Sequence, residues 1–419
     1  MKVTEQKWWL VWLMNMVALG SAFGQEYCGT ARYQGEVFTQ LNIQRDIPYG
    51  KNVFGSDSLE LKLDFFEPFA DTADMRPLII WAFGGAFVTG SKGDDDVQIL
   101  SEEFARRGYA CASINYRTSI ELLLNRNERL VYLAVMKVVH DLKAAVRFFR
   151  KDAANNKLYK IDPNRIYVGG LSSGAISAMH LAYMRTTAEF PTIIQPDTST
   201  IGGVEGFSGN PGFSSEVAGV INISGALGDT LMMDSAEAPI ISIHGTEDPI
   251  VPYGTGNINL LGLLVGVDGS ASVDLRAKNL GIAQEMVTFL DAGHTPMSPG
   301  DDPNDSLYMD TTLLAITDFM YQRLCEPIVS DLEPDFALDV QLFPNPASTH
   351  LFLKGTFEDP GLTLQMIDAQ GRFFRPPYRI SSQQIDIDLS ALAAGIFFLS
   401  LRDSKGRQLW SGKVLKRSF

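Results

Sequence analysis

Cysteine is scarce in this 419-residue chain, with three residues in all. That is too few for a fold framed by disulfides. Basic residues are outnumbered, 35 Lys and Arg against 49 Asp and Glu, giving a formal charge of -14. No compact Lys/Arg patch interrupts the acidic surface, which argues against a nucleic-acid partner. Beyond the first 24 residues no apolar run reaches membrane-spanning length. Histidine is also rare: five residues, His140, His180, His244, His294 and His350.

The N-terminus does hold an apolar stretch. MKVTEQK supplies two lysines, WWLVWLMNMVALG the apolar core, and SAFG small residues before Gln25. The stretch is short for a span and contains an Asn, so residues 1–24 read as a cleaved secretory signal, with an uncleaved anchor as the alternative. Of the cysteines, Cys111 lies in the apolar run YACASINY and reads as a buried thiol. Cys28 and Cys325 stand at the two ends of the larger domain. Export permits a disulfide between them; two free thiols are the alternative.

From residue 25 to 328 strand-like and helix-like segments alternate. LELKLDFFEP (59–68) alternates as a strand, whereas PLIIWAF (77–83) and YACASINY (109–116) are continuous apolar runs, the pattern of strands covered on both faces. RIYVGG, VAGVINISGA, APIISIHG and EMVTFLDAG supply four further strands, and helical spacing marks VQILSEEFARRG, residues 129–156, GLSSGAISAMHLAYMRT and DTTLLAITDFMYQRLC. The alternation predicts an α/β fold with a mainly parallel central sheet. Residues 329–337 read as an acidic, proline-containing linker. Residues 338–419 change to short strands and turns, a small C-terminal β-sandwich.

Within Gly170-Leu171-Ser172-Ser173-Gly174 two serines stand side by side between a strand and a helix. G-x-S-x-G centres on Ser172; centring on Ser173 loses the flanking glycines, which the tight turn requires. Ser172 is the candidate nucleophile, and Ser173 offers a backbone N–H from the first helical turn. A base is needed late in the sheet. His140 and His180 sit within helices and His350 in the β module, while His294 follows a strand in a Gly-His-Thr-Pro turn. Asp248, with Glu247 as runner-up, lies in the loop TEDPIVPYG after an earlier strand and would accept the imidazole N–H. His244 directly ends that strand and reads as a packed or supporting residue. Gly85 and Ala86, after the strand PLIIWA, are candidate oxyanion donors together with Ser173.

The ordered set FGGAFVTG, INYR, VGGLSSGAI, GNPG, ISGA, HGTEDPIVPY and GHTP resembles the α/β-hydrolase carboxylesterases and lipases over about residues 50–325. The resemblance implies the α/β-hydrolase fold, a triad of Ser172, Asp248 and His294, and an oxyanion hole from Gly85, Ala86 and Ser173. The chain departs from it at Phe83, where many relatives have His, and at Ala86, where many have a third Gly. Residues 338–419 resemble the sorting domain of proteins exported by the type IX secretion system of Bacteroidetes, carried by LFPNPAS, IDAQGR, IDLSALAAGIFFLSL and GKVLKR. It implies passage through the periplasm, the type IX machinery as partner, and release or surface attachment. An accessory β domain, with carbohydrate binding as its candidate role, is the reading without that resemblance.

The expected reaction is ester hydrolysis through an acyl-enzyme, with no metal or organic cofactor. Asp94, Asp95 and Asp96 together suggest a solvated loop at a helix start, with calcium as the alternative. Long-chain glycerides and feruloylated or acetylated plant polysaccharide are alternative substrates. A serine peptidase and a non-catalytic binding protein are the other classes. The segments 186–212 and 257–269 are expected to wall an acyl pocket near Ser172, with leucines that pack under the loop and meet no substrate as the alternative.

Overall fold

The computed structural model describes residues 28, 30–54, 57–300, 305–325, 340–357, 361–368, 373–402 and 408–417. The expected signal segment 1–24 and the linker 329–337 lie outside the described residues. Two compact units divide between Glu326 and Pro327.

The larger unit is built on eight strands: β1 (Leu41–Phe54), β2 (Asp57–Pro68), β3 (Arg76–Ala82), β4 (Ala110–Ile114), β5 (Ile161–Leu171), β6 (Gly219–Ile223), then β8 (Ile240–Gly245) and β11 (Gln284–Phe289). Their order across the sheet is β1-β2-β4-β3-β5-β6-β8-β11. β1 and β2 are antiparallel; β4, β3, β5, β6, β8 and β11 run parallel. Every residue of β3 and β4 is buried, so both faces of the sheet are covered at its centre. That is why these strands are continuous apolar text with no alternation.

Helices connect the parallel strands: α1 (Asp95–Arg106), α2 (Glu128–Ala154), α3 (Ser173–Tyr183) and α4 (Ser270–Asn279), with α5 (Asp305–Cys325) following β11. α1 buries Val97, Leu100, Ser101, Phe104 and Ala105, one face at helical spacing. Asn127 caps α2, its side chain accepting from the Leu130 N–H at 3.0 Å. Cys28 and Cys325 are joined in a disulfide with Cα atoms 5.3 Å apart, and Cys111 is a buried free thiol.

One segment read only as leucine-rich text forms structure of its own. β9 (Thr255–Leu260) and β10 (Leu263–Gly269) make an antiparallel hairpin, and β10 also pairs with the two-residue β7 (Ala226–Leu227). Around the tip, Leu260, Leu261 and Leu263 meet Leu122, Arg126 and Val131, which follow β4. Since β3, β5 and β6 lie between β4 and β8, the hairpin straps across their carboxyl ends.

The 186–212 segment takes a different course from the one expected. It does not all arch over that edge; it descends α2, with Asp197 on Arg129, Gly203 O on His140 and Glu205 on Lys143 and Arg147. Ion pairs and a histidine distributed along α2 fix that path, and apolar periodicity cannot reveal it.

The smaller unit holds two four-stranded antiparallel sheets. Leu351, Leu353, Ile385 and Ile387 from one share a core with Leu364, Met366, Phe397, Leu399 and Leu401 from the other, a small β-sandwich.

Candidate active site

Parallel strands put their carboxyl ends at one edge, and four of them deliver the candidate groups there. β3 leads into Phe83–Gly90, β5 into Ser172, β8 into Asp248 and β11 into His294.

Ser172 occupies the turn between β5 and α3 with φ 52° and ψ -117°, a region non-glycine residues avoid. The flanking glycines make that turn possible. A Cβ on Gly170 would stand 2.6 Å from the Gly174 carbonyl carbon, and one on Gly174 would stand 2.2 Å from Ala82 O. Sequence spacing selected Ser172, and the backbone gives the reason: Ser173 already lies in the helix, its side chain buried, with Oγ 3.5 Å from the Tyr116 hydroxyl.

The Ser172 hydroxyl donates to His294 Nε2 at 2.9 Å, and His294 Nδ1–H donates to Asp248 Oδ2 at 2.6 Å. The second carboxylate oxygen, Oδ1, accepts the backbone N–H groups of Ile250 and Val251 at 2.8 and 2.9 Å. Burial works against the charged form of Asp248. Hydrogen bonds from His244 and His294 outweigh it and hold the carboxyl well below the usual carboxylate range. Glu247, the alternative acid, is exposed, and its backbone N–H donates to Ala292 O at 2.9 Å.

Phe83–Gly90 closes against the nucleophile. A Cβ on Gly84 would stand 3.6 Å from the Ser172 Cβ. Gly85 has φ 114°, and Ala86 and Phe87 have φ 53° and 64°, so the loop presents its backbone in a left-handed run. Gly85 O accepts from Val88 and Thr89, while no acceptor among the described residues pairs with the N–H groups of Gly85, Ala86 or Ser173. Tyr116 braces this loop: its ring stacks on Phe83 at 3.9 Å and its hydroxyl donates to Phe83 O at 2.8 Å.

The remaining histidines are otherwise engaged. His140 is buried beside Gly203 O, and burial lowers its pKa to about 4. His180 bonds Ile176 O and the Gly228 N–H, and His350 pairs with Asp386 in the sandwich. Asp94 accepts from the Ser91 N–H and hydroxyl, and Asp96 accepts from Ser298, four residues beyond His294, at 3.0 Å. Asp96 thus ties the start of α1 to the histidine loop, a link with no local sequence signal. His244 is the residue whose engagement was least legible: its Nε2 lies 3.0 Å from Asp248 Oδ2.

Residues 63–226 match the BD-FAE family model. The larger unit carries an α/β-hydrolase esterase/lipase domain. Residues 341–416, outside this hydrolase unit, match the secretion system C-terminal sorting domain. The chain is similar to Lipase 1 of Geotrichum candidum, 28% identical over 123 residues, 29% of this chain and 21% of that protein. Lipase 2 of the same organism matches over the same shares. The chain thus spans about a fifth of the length of the curated relatives it matches. Among solved structures it is similar to Thermogutta terrifontis esterase 2 phosphorylated by paraoxon, with 22% identity, 69% of this chain and 97% of that chain covered, and a TM-score of 0.49. The propionate-bound form of that esterase gives 21% identity, 71% and 99% coverage, and a TM-score of 0.49.

Proposed function

We propose that this chain is an exported serine carboxylesterase. Ser172 attacks an ester carbonyl as His294 takes its proton, and the oxyanion that forms accepts from the N–H groups of Gly85, Ala86 and Ser173. His294 then protonates the leaving alcohol, and water cleaves the acyl-enzyme by the reverse route. Asp248 holds the imidazole in the tautomer that leaves Nε2 facing Ser172. The observation that carries this reading is the continuous relay of 2.9 and 2.6 Å from Ser172 Oγ through His294 to Asp248. Export rests on the expected signal over 1–24 and the sorting domain at 338–419. The type IX machinery is the partner that domain implies, and the destination is the medium or the outer-membrane surface.

The test is turnover of p-nitrophenyl esters from acetyl to palmitoyl, beside acetylated and feruloylated oligosaccharides and a peptide amide. Ser172→Ala is expected to lower ester turnover about 10⁴-fold or more, and Ser173→Ala to retain most of it. Covalent label from an activated ester on Ser173, or amide cleavage at comparable efficiency, would overturn the assignment.

A further inference from the structure

Asp248 Oδ2 accepts from two histidines, and the proposed relay uses one of them. His244, at the end of β8, is fully buried, and both its ring nitrogens are engaged. Nε2 faces Asp248 Oδ2 at 3.0 Å and Val251 O at 3.2 Å. Both are acceptors, so Nε2 carries the proton. Nδ1 faces the Ser270 hydroxyl at 2.7 Å, and that hydroxyl also lies 3.2 Å from Gly225 O. The shorter contact assigns the hydroxyl proton to Nδ1, which fixes the Nε2–H tautomer. Ser270 Oγ in turn accepts from Asn222 Nδ2 at 2.9 Å, and the same amide donates to Ser242 Oγ at 3.0 Å. Asn222 Oδ1 accepts the Gly225 N–H at 3.0 Å. β6, β8 and α4 thus each contribute buried polar groups to one network that ends on the carboxylate.

We infer that His244 is a positioning residue for ester hydrolysis, holding Asp248 in the plane from which it orients His294, with Ser270 setting its tautomer. The inference rests on the triad reading above. Ile250 and Val251 anchor Oδ1 only, which leaves the carboxylate free to swing about that oxygen. A second donor fixed on Oδ2 removes that freedom, so His294 meets an acceptor in one direction. A residue that merely filled the space at the end of β8 would be apolar; two engaged nitrogens and three buried polar neighbours serve direction, not volume.

The test compares His244→Leu, His244→Gln and Ser270→Ala with the wild type on p-nitrophenyl acetate, recording kcat, KM and melting temperature for each. Gln carries an N–H near the position of Nε2 and reaches no further toward Ser270. His244→Leu is expected to lower kcat about 10²-fold with KM little changed, the scale of loss that a small misplacement of a catalytic group produces. His244→Gln recovers most of that loss, and Ser270→Ala gives a smaller drop in kcat alone. Unchanged kcat in folded His244→Leu overturns the inference, as does equal loss in the Leu and Gln variants at equal melting temperature. Should His244→Leu fail to fold, wild-type kcat in Ser270→Ala overturns it instead. Wild type and Ser172→Ala are measured first. An inactive wild type, or turnover that survives Ser172→Ala, refutes the triad reading and this inference together, whereas loss on Ser172→Ala with no response at His244 refutes the inference alone.

Discussion

Gly245, the last residue of β8, packs directly against the loop that carries His294. A Cβ placed on it would stand 2.3 Å from Ala292 O and 2.4 Å from Gly293 O. Real Cβ contacts essentially never fall below 3.0 Å, so Gly245→Ala must move this backbone by about 0.7 Å. Ala292 O also accepts the Glu247 N–H at 2.9 Å, so the shift strains the bond that fastens the Asp248 loop to the histidine loop. His294 is held between Ser172 at 2.9 Å and Asp248 at 2.6 Å and cannot follow without lengthening one of them. A displacement of that size predicts a loss of about 10²-fold in kcat. Overpacking against backbone adds a destabilisation of about 1–3 kcal/mol. Gly293→Ala is the control, because a Cβ there has nothing within 4 Å and should leave stability near wild type. Stopped-flow hydrolysis of p-nitrophenyl acetate and thermal melts on both variants decide it. Wild-type kcat in Gly245→Ala, or equal damage in Gly293→Ala, would refute the reasoning from steric contact.

Two further outcomes follow from other parts of the hydrolase unit. The Cys28–Cys325 bridge closes a loop with a sequence separation of 297, so reducing it, or Cys28→Ser, should cost about 6 kcal/mol by loop entropy and lower the melting temperature by about 10 °C or more, with kcat at 25 °C retained because α5 carries no proposed catalytic group; an unchanged melting curve under reductant would count against the bridge. Burial pushes Glu285 up to about 7 and Asp318 up to about 6, and the nearby Asp318 adds to the first shift. Because the folded state then binds protons more tightly than the unfolded chain, their protonation favours folding at low pH, and that contribution is lost as pH rises from about 4 to 7. Glu285→Gln with Asp318→Asn should therefore gain melting temperature relative to wild type above pH 7 and lose the advantage below pH 4; a difference independent of pH would contradict the sign.

The sequence by itself determined what depends on local backbone geometry and on strand order. Gly170 and Gly174 single out Ser172 because a tight strand–turn–helix connection leaves no room for a Cβ at either position. The candidate acid and base were legible because strands that alternate with helices run parallel, which sends the loops after β8 and β11 to the same edge as the elbow. The continuous apolar runs of β3 and β4 likewise reported burial on both faces, and the change to short strands beyond residue 338 reported a second β unit. Tertiary structure decided where polar groups point. His244 was readable as a supporting residue, but its sharing of Asp248 with His294 depends on a contact across 46 positions, and its tether to Ser270 and through it to Asn222 on contacts across 26 and 48. The hairpin at 255–269 took its strand form from the pairing of β9 with β10, with β7 added at one end, and the 186–212 segment took its path from ion pairs along α2. Periodicity records which side of an element is apolar; the partner that satisfies a buried hydrogen-bonding group is set only when distant elements pack together.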